Sequence, residues 1–168
     1  VESIVLVAID NQFAGYVVIA DELKEDAKET ITELHKVGIK NIMMLSGDKD
    51  SITQQVAKEL NIENAKGGLL PEDKLNEVEI LKKNPENKIA FIGDGINDAP
   101  VLAASNVGIA MGGLGSDVAI ETADVIIQTD QPSKVVRAIK ISRSTRKIVW
   151  QNIILAFGVK VIVLILGA

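Results

Sequence analysis

KIAFIGDGINDAP, residues 88–100, passes from an apolar run into a glycine-bounded loop and then into a proline-started helical pattern. Residues 88–92 read as a buried strand. Asp94 and Asp98 follow it on a loop whose glycines, lacking Cβ, let backbone approach a ligand closely. Residues 98–104 read as a helix with Pro100 near its start. Two carboxylates four residues apart at a strand end suit a Mg²⁺ ion that keeps several waters. An isolated Gly-Asp-Gly is more often a solvated turn, and Asp98 is also placed to cap the helix that starts at Ala99; the two roles of Asp98 are compatible. The strand in front and the length of the pattern favour the ligand reading for Asp94, with Asn97 and Asp98 orienting water or phosphate around it.

Working outward, the same strand-then-helix rhythm recurs. Residues 24–37 carry Ala27, Ile31, Leu34 and Val37 at spacings of three and four, one face of an amphipathic helix ending at Gly38. Residues 39–45 read as a buried strand, 51–60 as a helix and 71–83 as a helix with Pro71 in its first turn. Short strands at 107–110 and 125–127 flank a small helix around 116–121. Alternating helices and short apolar strands imply parallel pairing through crossovers, hence an α/β, Rossmann-like doubly wound sheet. Ligands in such sheets sit at the carboxyl ends of the strands, where Ser46, Asp94 and Asp98 all fall. Ser46 and Gly47 offer a hydroxyl and a backbone amide to an anion at a strand-to-helix turn, with Asp48 as a cap for the next helix. Lys74, in LLPEDK, supplies a point positive charge for a phosphate; an ordinary exposed lysine among Glu72, Asp73 and Glu77 is the plainer alternative. Gly112-Gly113-Leu114-Gly115 is assigned to a turn, because a lone glycine cluster is weak evidence for a nucleotide loop. His35, the one histidine, reads as a surface residue and not a metal ligand. At the amino terminus, residues 4–9 and 13–19 read as two strands joined by Asp10-Asn11-Gln12.

The chain has 168 residues, 47% of them hydrophobic but only 3% aromatic. That balance fits a Val, Ile, Leu and Ala sheet and argues against stacking on nucleic-acid bases, so no nucleic-acid partner is expected. Cysteine is absent, which removes disulfides and thiolate metal ligation. The apolar start lacks a basic leader and does not read as a secretion signal. From Ser133 onward there are seven basic residues and no acidic one, leaving eleven basic against twenty-three acidic residues before it. Residues 132–168 read as one long helix whose second half, 148–168, is apolar apart from Gln151, Asn152 and Lys160. About 20 mostly apolar residues suffice to cross a bilayer, and the basic residues 134–147 mark their side as cytoplasmic.

MLSGD, GLLPEDK and GDGINDAP, in this order, resemble the phosphoryl-transfer motifs of the haloacid dehalogenase superfamily. GDGINDAPVLAASNVGIAMG and SDVAIETADVII are similar to one branch of it, the P-type cation-transporting ATPases, and the resemblance covers nearly the whole chain. It implies Ser46, Lys74 and Asp98 as catalytic, Ser46, Gly47, Lys74 and Asn97 as phosphate contacts, Asp94 and Asp98 as Mg²⁺ ligands, and ATP as substrate of the whole pump. It divides the chain into the end of a nucleotide-binding domain (1–19), a phosphorylation domain (20–131), a basic stalk helix (132–147) and the start of a transmembrane helix (148–168). QNIILAFGVK resembles zinc, cadmium and lead exporters of the heavy-metal branch. There Lys160 would be a built-in counterion on the metal pathway, as a lysine within an apolar span is a functional candidate by default; snorkelling near a helix end is the alternative. The Tyr-Asn pair expected of copper pumps is missing from this helix. The DKTGT sequence with the phosphorylated aspartate does not occur, nor do the His-Pro, TGE and intramembrane Cys motifs. The resemblance therefore implies a C-terminal portion of a multi-pass cell-membrane pump, with residues 1–147 cytoplasmic, inactive by itself toward ATP. Its partners would be the remaining pump polypeptide, the membrane through residues 148–168, and a transported divalent metal ion. A soluble phosphatase of the same superfamily, and a truncated fragment with an interaction role, are the alternatives.

Overall fold

A computed structural model describes residues 2–20, 22–93, 96–112 and 121–167. Strands β1 (Glu2–Ile9) and β2 (Gln12–Ala20) form an antiparallel hairpin. Its turn residues Asp10 and Asn11 have φ of 51° and 60°, the doubly positive pattern of the two-residue turn that matches strand twist. The register slips between Val7 and Ala8, a bulge that adds local bend.

Helix α1 (Ala27–Lys36) closes with a hydrogen-bonded αL exit. Gly38, at φ 89°, donates to the His35 carbonyl, and Ile39 donates to Leu34 O. This two-bond pattern satisfies carbonyls left over at a helix end. It also ties up Ile39, so the strand expected over 39–45 shrinks to β3 (Met43–Leu45). After α2 (Asp50–Leu60) comes β4 (Asn64–Lys66), which pairs in parallel with β3. Asn-Ala-Lys carries a single apolar residue and is too short for alternation to stand out, so sequence patterning gave no strand there. Helix α3 (Pro71–Lys82) leads to β5 (Ala90–Gly93), then a 3₁₀ turn over Ile96–Asp98, α4 (Ala99–Ala104), β6 (Val107–Met111), β7 (Val125–Ile127) and the long α5 (Ser133–Gly167). The expected strand 88–92 begins at Ala90 because Ile89 is fixed at its entrance. Its amide donates to Asn106 Oδ1, and its carbonyl accepts from the amides of Asn106 and Val107. The helix expected around 116–121 lies outside the described residues, as do Gly113, Leu114 and Gly115; Gly112 has φ 92°.

Strands β5, β6 and β7 form a second parallel sheet in that spatial order. Its two faces are covered by different helices, as side-chain alternation along a strand requires. Ile109 and Met111 join Ile127, Leu34 of α1 and Val135 and Val136 of α5 in one buried cluster. Gly108, one residue out of phase, faces α4: a Cβ there would sit 2.7 Å from the Leu102 carbonyl oxygen. Val78 of α3 and Val101 and Leu102 of α4 are buried as well. Helices on both faces of a parallel sheet make the α/β architecture anticipated from the alternation.

Candidate functional site

The carboxyl ends of β3 and β5 carry the polar residues singled out in the sequence. Asp98 closes the 3₁₀ turn after β5 and occupies the N-cap position of α4, but its side chain makes no capping hydrogen bond. It accepts instead from Lys74 Nζ of α3, at 2.9 Å to Oδ1. Both side chains are largely withdrawn from water, 17% and 12% exposed. A lysine and a carboxylate from motifs 24 residues apart are thus brought together above the β5 end. The opposite charges compensate each other where neither is well hydrated. Asp98 folds back over the strand terminus, since a side chain on Gly93 would meet its Oδ2 at 2.9 Å.

Ser46 sits at the end of β3, its amide donating to Lys66 O. Its hydroxyl donates to Asp48 Oδ2 at 2.8 Å and accepts from the Asp48 amide at 3.1 Å. Asp48 is therefore not the helix cap anticipated for it: α2 is preceded by Lys49 at the N-cap, and the Asp48 carboxylate closes a tight turn on Ser46. Ser46 O accepts from Leu69 N at 3.0 Å, which lays the loop before α3 against the Ser46 loop. The Leu70 amide then donates to Asp73 Oδ2 in the first turn of α3, satisfying one donor left free at a helix start. Through this sequence of contacts the Ser46 loop lies against the loop that leads into the first turn of α3, the helix that carries Lys74. Asn97 is exposed in the same 3₁₀ turn as Asp98. Asp94 lies outside the described residues. Lys160 is elsewhere, exposed on the distal part of α5. His35 is exposed and donates from Nδ1 to the Ile39 carbonyl. Among the described residues no three His, Cys, Asp or Glu side chains gather in a metal-binding group.

Asp50 and Gln54 were missed in the sequence. Both reach from α2 to the outer side of β4 and the loop after it: Gly67 N donates to Asp50 Oδ1 at 2.9 Å, and Gln54 Nε2 donates to Ala65 O at 2.8 Å. An Asp four residues before a Gln on a helix looks like an ordinary solvated face, and only the unrecognised strand beside it gives the pair a task.

A parallel sheet with a lysine and carboxylate over a strand end matches known proteins closely. The family model for haloacid dehalogenase-like hydrolases matches residues 1–106. The chain belongs to that family. It is 52% identical over 168 residues to the cadmium, zinc and cobalt-transporting ATPase of Bacillus subtilis (strain 168), spanning 99% of this chain and 24% of that protein. Against the zinc-transporting ATPase of Synechocystis sp. (strain ATCC 27184 / PCC 6803 / Kazusa) the identity is 51%, over 98% of this chain and 23% of the relative. A crystal structure of a zinc-transporting PIB-type ATPase in the E2P state superposes with a TM-score of 0.80 at 40% identity, covering 98% of this chain and 26% of that one. The chain thus spans about a quarter of the length of these relatives. Its 35-residue α5 contains a stretch long and apolar enough to cross a membrane.

Proposed function

We propose that this chain forms the phosphate- and Mg²⁺-handling part of the phosphorylation domain of an ATP-driven pump that exports Zn²⁺, Cd²⁺ or Pb²⁺. The observation that carries the reading is the Lys74–Asp98 pair over the β5 terminus, found in a chain half identical to zinc- and cadmium-transporting ATPases. Lys74 offsets negative charge on a phosphoryl group arriving at the rim, and a charge held in place before the reaction needs no reorganisation during it. Ser46 and Gly47 supply the hydroxyl and amide on the β3 side, and Asn97 borders the same rim. The donor chemistry at Asp98 fits Mg²⁺: it presents a carboxylate, the hard oxygen such an ion takes, and only Oδ1 is held by Lys74. Asp94 and Asp98 would hold the ion, which when bound would neutralise charge on the transferred phosphoryl group. The phosphorylated aspartate comes from another part of the pump polypeptide. In this division β1 and β2 end the nucleotide-binding domain, and residues 20–131 form the phosphorylation domain. The first half of α5 is a cytoplasmic stalk, the second half enters the cell membrane, and Lys160 is a counterion on the metal path.

The full-length protein should hydrolyse ATP when Zn²⁺, Cd²⁺ or Pb²⁺ is added, and not on addition of Cu⁺ or K⁺. Lys74→Ala should lower phosphoenzyme formation about a hundredfold, the scale of removing one preset charge contact, and Asp94→Ala should abolish it. Wild-type phosphoenzyme levels in Lys74→Ala would refute the role given to the pair, and stimulation by Cu⁺ alone would refute the metal class.

A further inference from the structure

The loop that carries the chain from β4 into α3 is fastened from outside the proposed phosphate contacts. Asp50 Oδ1 accepts from Gly67 N at 2.9 Å and from Gln54 Nε2 at 3.2 Å. The same Gln54 nitrogen donates to Ala65 O at 2.8 Å. Backbone groups of residues 65 and 67 point away from β3, whereas Lys66 O faces it and accepts from Ser46 N. The two α2 side chains thus take the place of a further strand along β4. Beyond the clasp, Gly68 N donates to Asp48 O and Leu69 N to Ser46 O, so the loop lies along the Ser46–Asp48 turn before α3 begins. Lys66 also pairs with Glu77 of α3 at 2.6 Å. The approach at the clasp leaves no room for a side chain: a Cβ on Gly67 would come 2.5 Å from Asp50 Cα and 2.6 Å from Thr53 Oγ1. The Asp50 carboxyl is held below the ordinary carboxylate range, first by the Gly67 amide and then by Gln54.

We propose that Asp50 is a positioning residue for phosphoryl transfer: by gripping Gly67 it fixes the 66–70 loop, and through it sets Lys74 relative to Ser46. The proposal rests on reading Ser46 and Lys74 as phosphate contacts. Asp50 itself touches neither of them. A displacement of a charge contact by a fraction of an ångström is felt in the chemical step more than in binding of the distant parts of a substrate.

The test compares Asp50→Ala and Asp50→Asn in the full-length protein. Asp50→Ala should lower kcat for metal-stimulated ATP hydrolysis about tenfold, the effect of losing one hydrogen bond to a charged acceptor. It should weaken orthovanadate inhibition by a similar factor and leave KM for ATP unchanged. Asp50→Asn keeps an oxygen for the Gly67 amide and should restore kcat and vanadate sensitivity. A role limited to charge at the α2 amino terminus would leave Asn as impaired as Ala and would overturn the proposal, as would wild-type kcat in Asp50→Ala. Hydrogen exchange of the 66–70 amides should be faster in Asp50→Ala and near normal in Asp50→Asn; unchanged exchange in Ala also overturns it. If the wild-type protein shows no metal-stimulated turnover, the pump reading fails, and the exchange comparison still decides whether Asp50 fixes the loop.

Discussion

Thr30 is buried on α1, and its Oγ1 has no hydrogen-bond partner among the described residues. A hydroxyl taken from water without a replacement partner costs stability, about 1–3 kcal/mol by mutational experience. Thr30→Val keeps the branched shape and exchanges the hydroxyl for a methyl. It should raise stability by about 1 kcal/mol, read as a higher thermal unfolding midpoint in the purified protein; a lower midpoint would mean that the hydroxyl is satisfied by water. Side chains at the candidate site were more legible than this one. Lys74 and Asp98 stand in two motifs whose resemblance to a known family marks them out, and they do meet. Asp48 misled because Asp is a good cap wherever a helix follows, whereas here the nearer Ser46 hydroxyl takes its carboxylate. Asp50 was illegible because its partner is a backbone amide, and no residue type announces an amide that needs an acceptor.

At the scale of elements, α1 and the base of α5 are laced by polar contacts around an apolar seam. Lys24 pairs with Asp130, Asp26 Oδ2 accepts from Ser133 N at 2.9 Å, and Glu33 accepts from Lys140 at 3.1 Å. Leu34, Val135 and Val136 pack in the same cluster. The Ser133 hydroxyl first, then its amide, hold the Asp26 carboxyl below its ordinary value, and Glu33 is lowered by Lys36 and then Lys140. A carboxyl whose folded-state pKa is depressed stabilises the fold above its unfolded value and loses that contribution as pH falls through the folded one. Thermal stability should therefore hold from neutral pH down to about pH 5 and fall progressively below about pH 4, where these groups protonate. Asp26→Asn should lower stability at pH 7 and flatten the acid decline; an unchanged slope in this variant would exclude Asp26 from the linkage. Long elements were readable, α1 from its apolar periodicity, α3 from the proline in its first turn and α5 from one long run, and all three begin and end within a few residues of their expected limits. Short strands divided: β7 falls at the 125–127 read from its apolar run, whereas β4 was not legible, because it owes its existence to β3 and to the α2 side chains rather than to its own composition.

For the molecule as a whole, α5 is the dominant length. Its 35 residues extend about 52 Å at 1.5 Å per residue. Packing against the rest of the fold involves its first two turns, where Val135 and Val136 are buried and Ala138 and Ile139 partly so; residues 141–167 are exposed. In water such a run of exposed Ile, Val and Leu would be costly, whereas a bilayer removes that cost, and the basic residues 134–147 suit a charged headgroup interface beside it. The segment 148–167 matches the roughly 30 Å hydrocarbon thickness. Because this chain contains no cysteine, a single introduced thiol reports its own surroundings once cysteines elsewhere in the full-length protein are removed. Ser144→Cys, on the basic half, should react readily with a membrane-impermeant maleimide applied to inside-out vesicles. Leu155→Cys, near the centre of the apolar half and on a different side of the helix from Lys160, should resist the reagent until detergent is added. Equal labelling of the two positions in intact vesicles would place the distal half of α5 in water and remove the membrane from the picture.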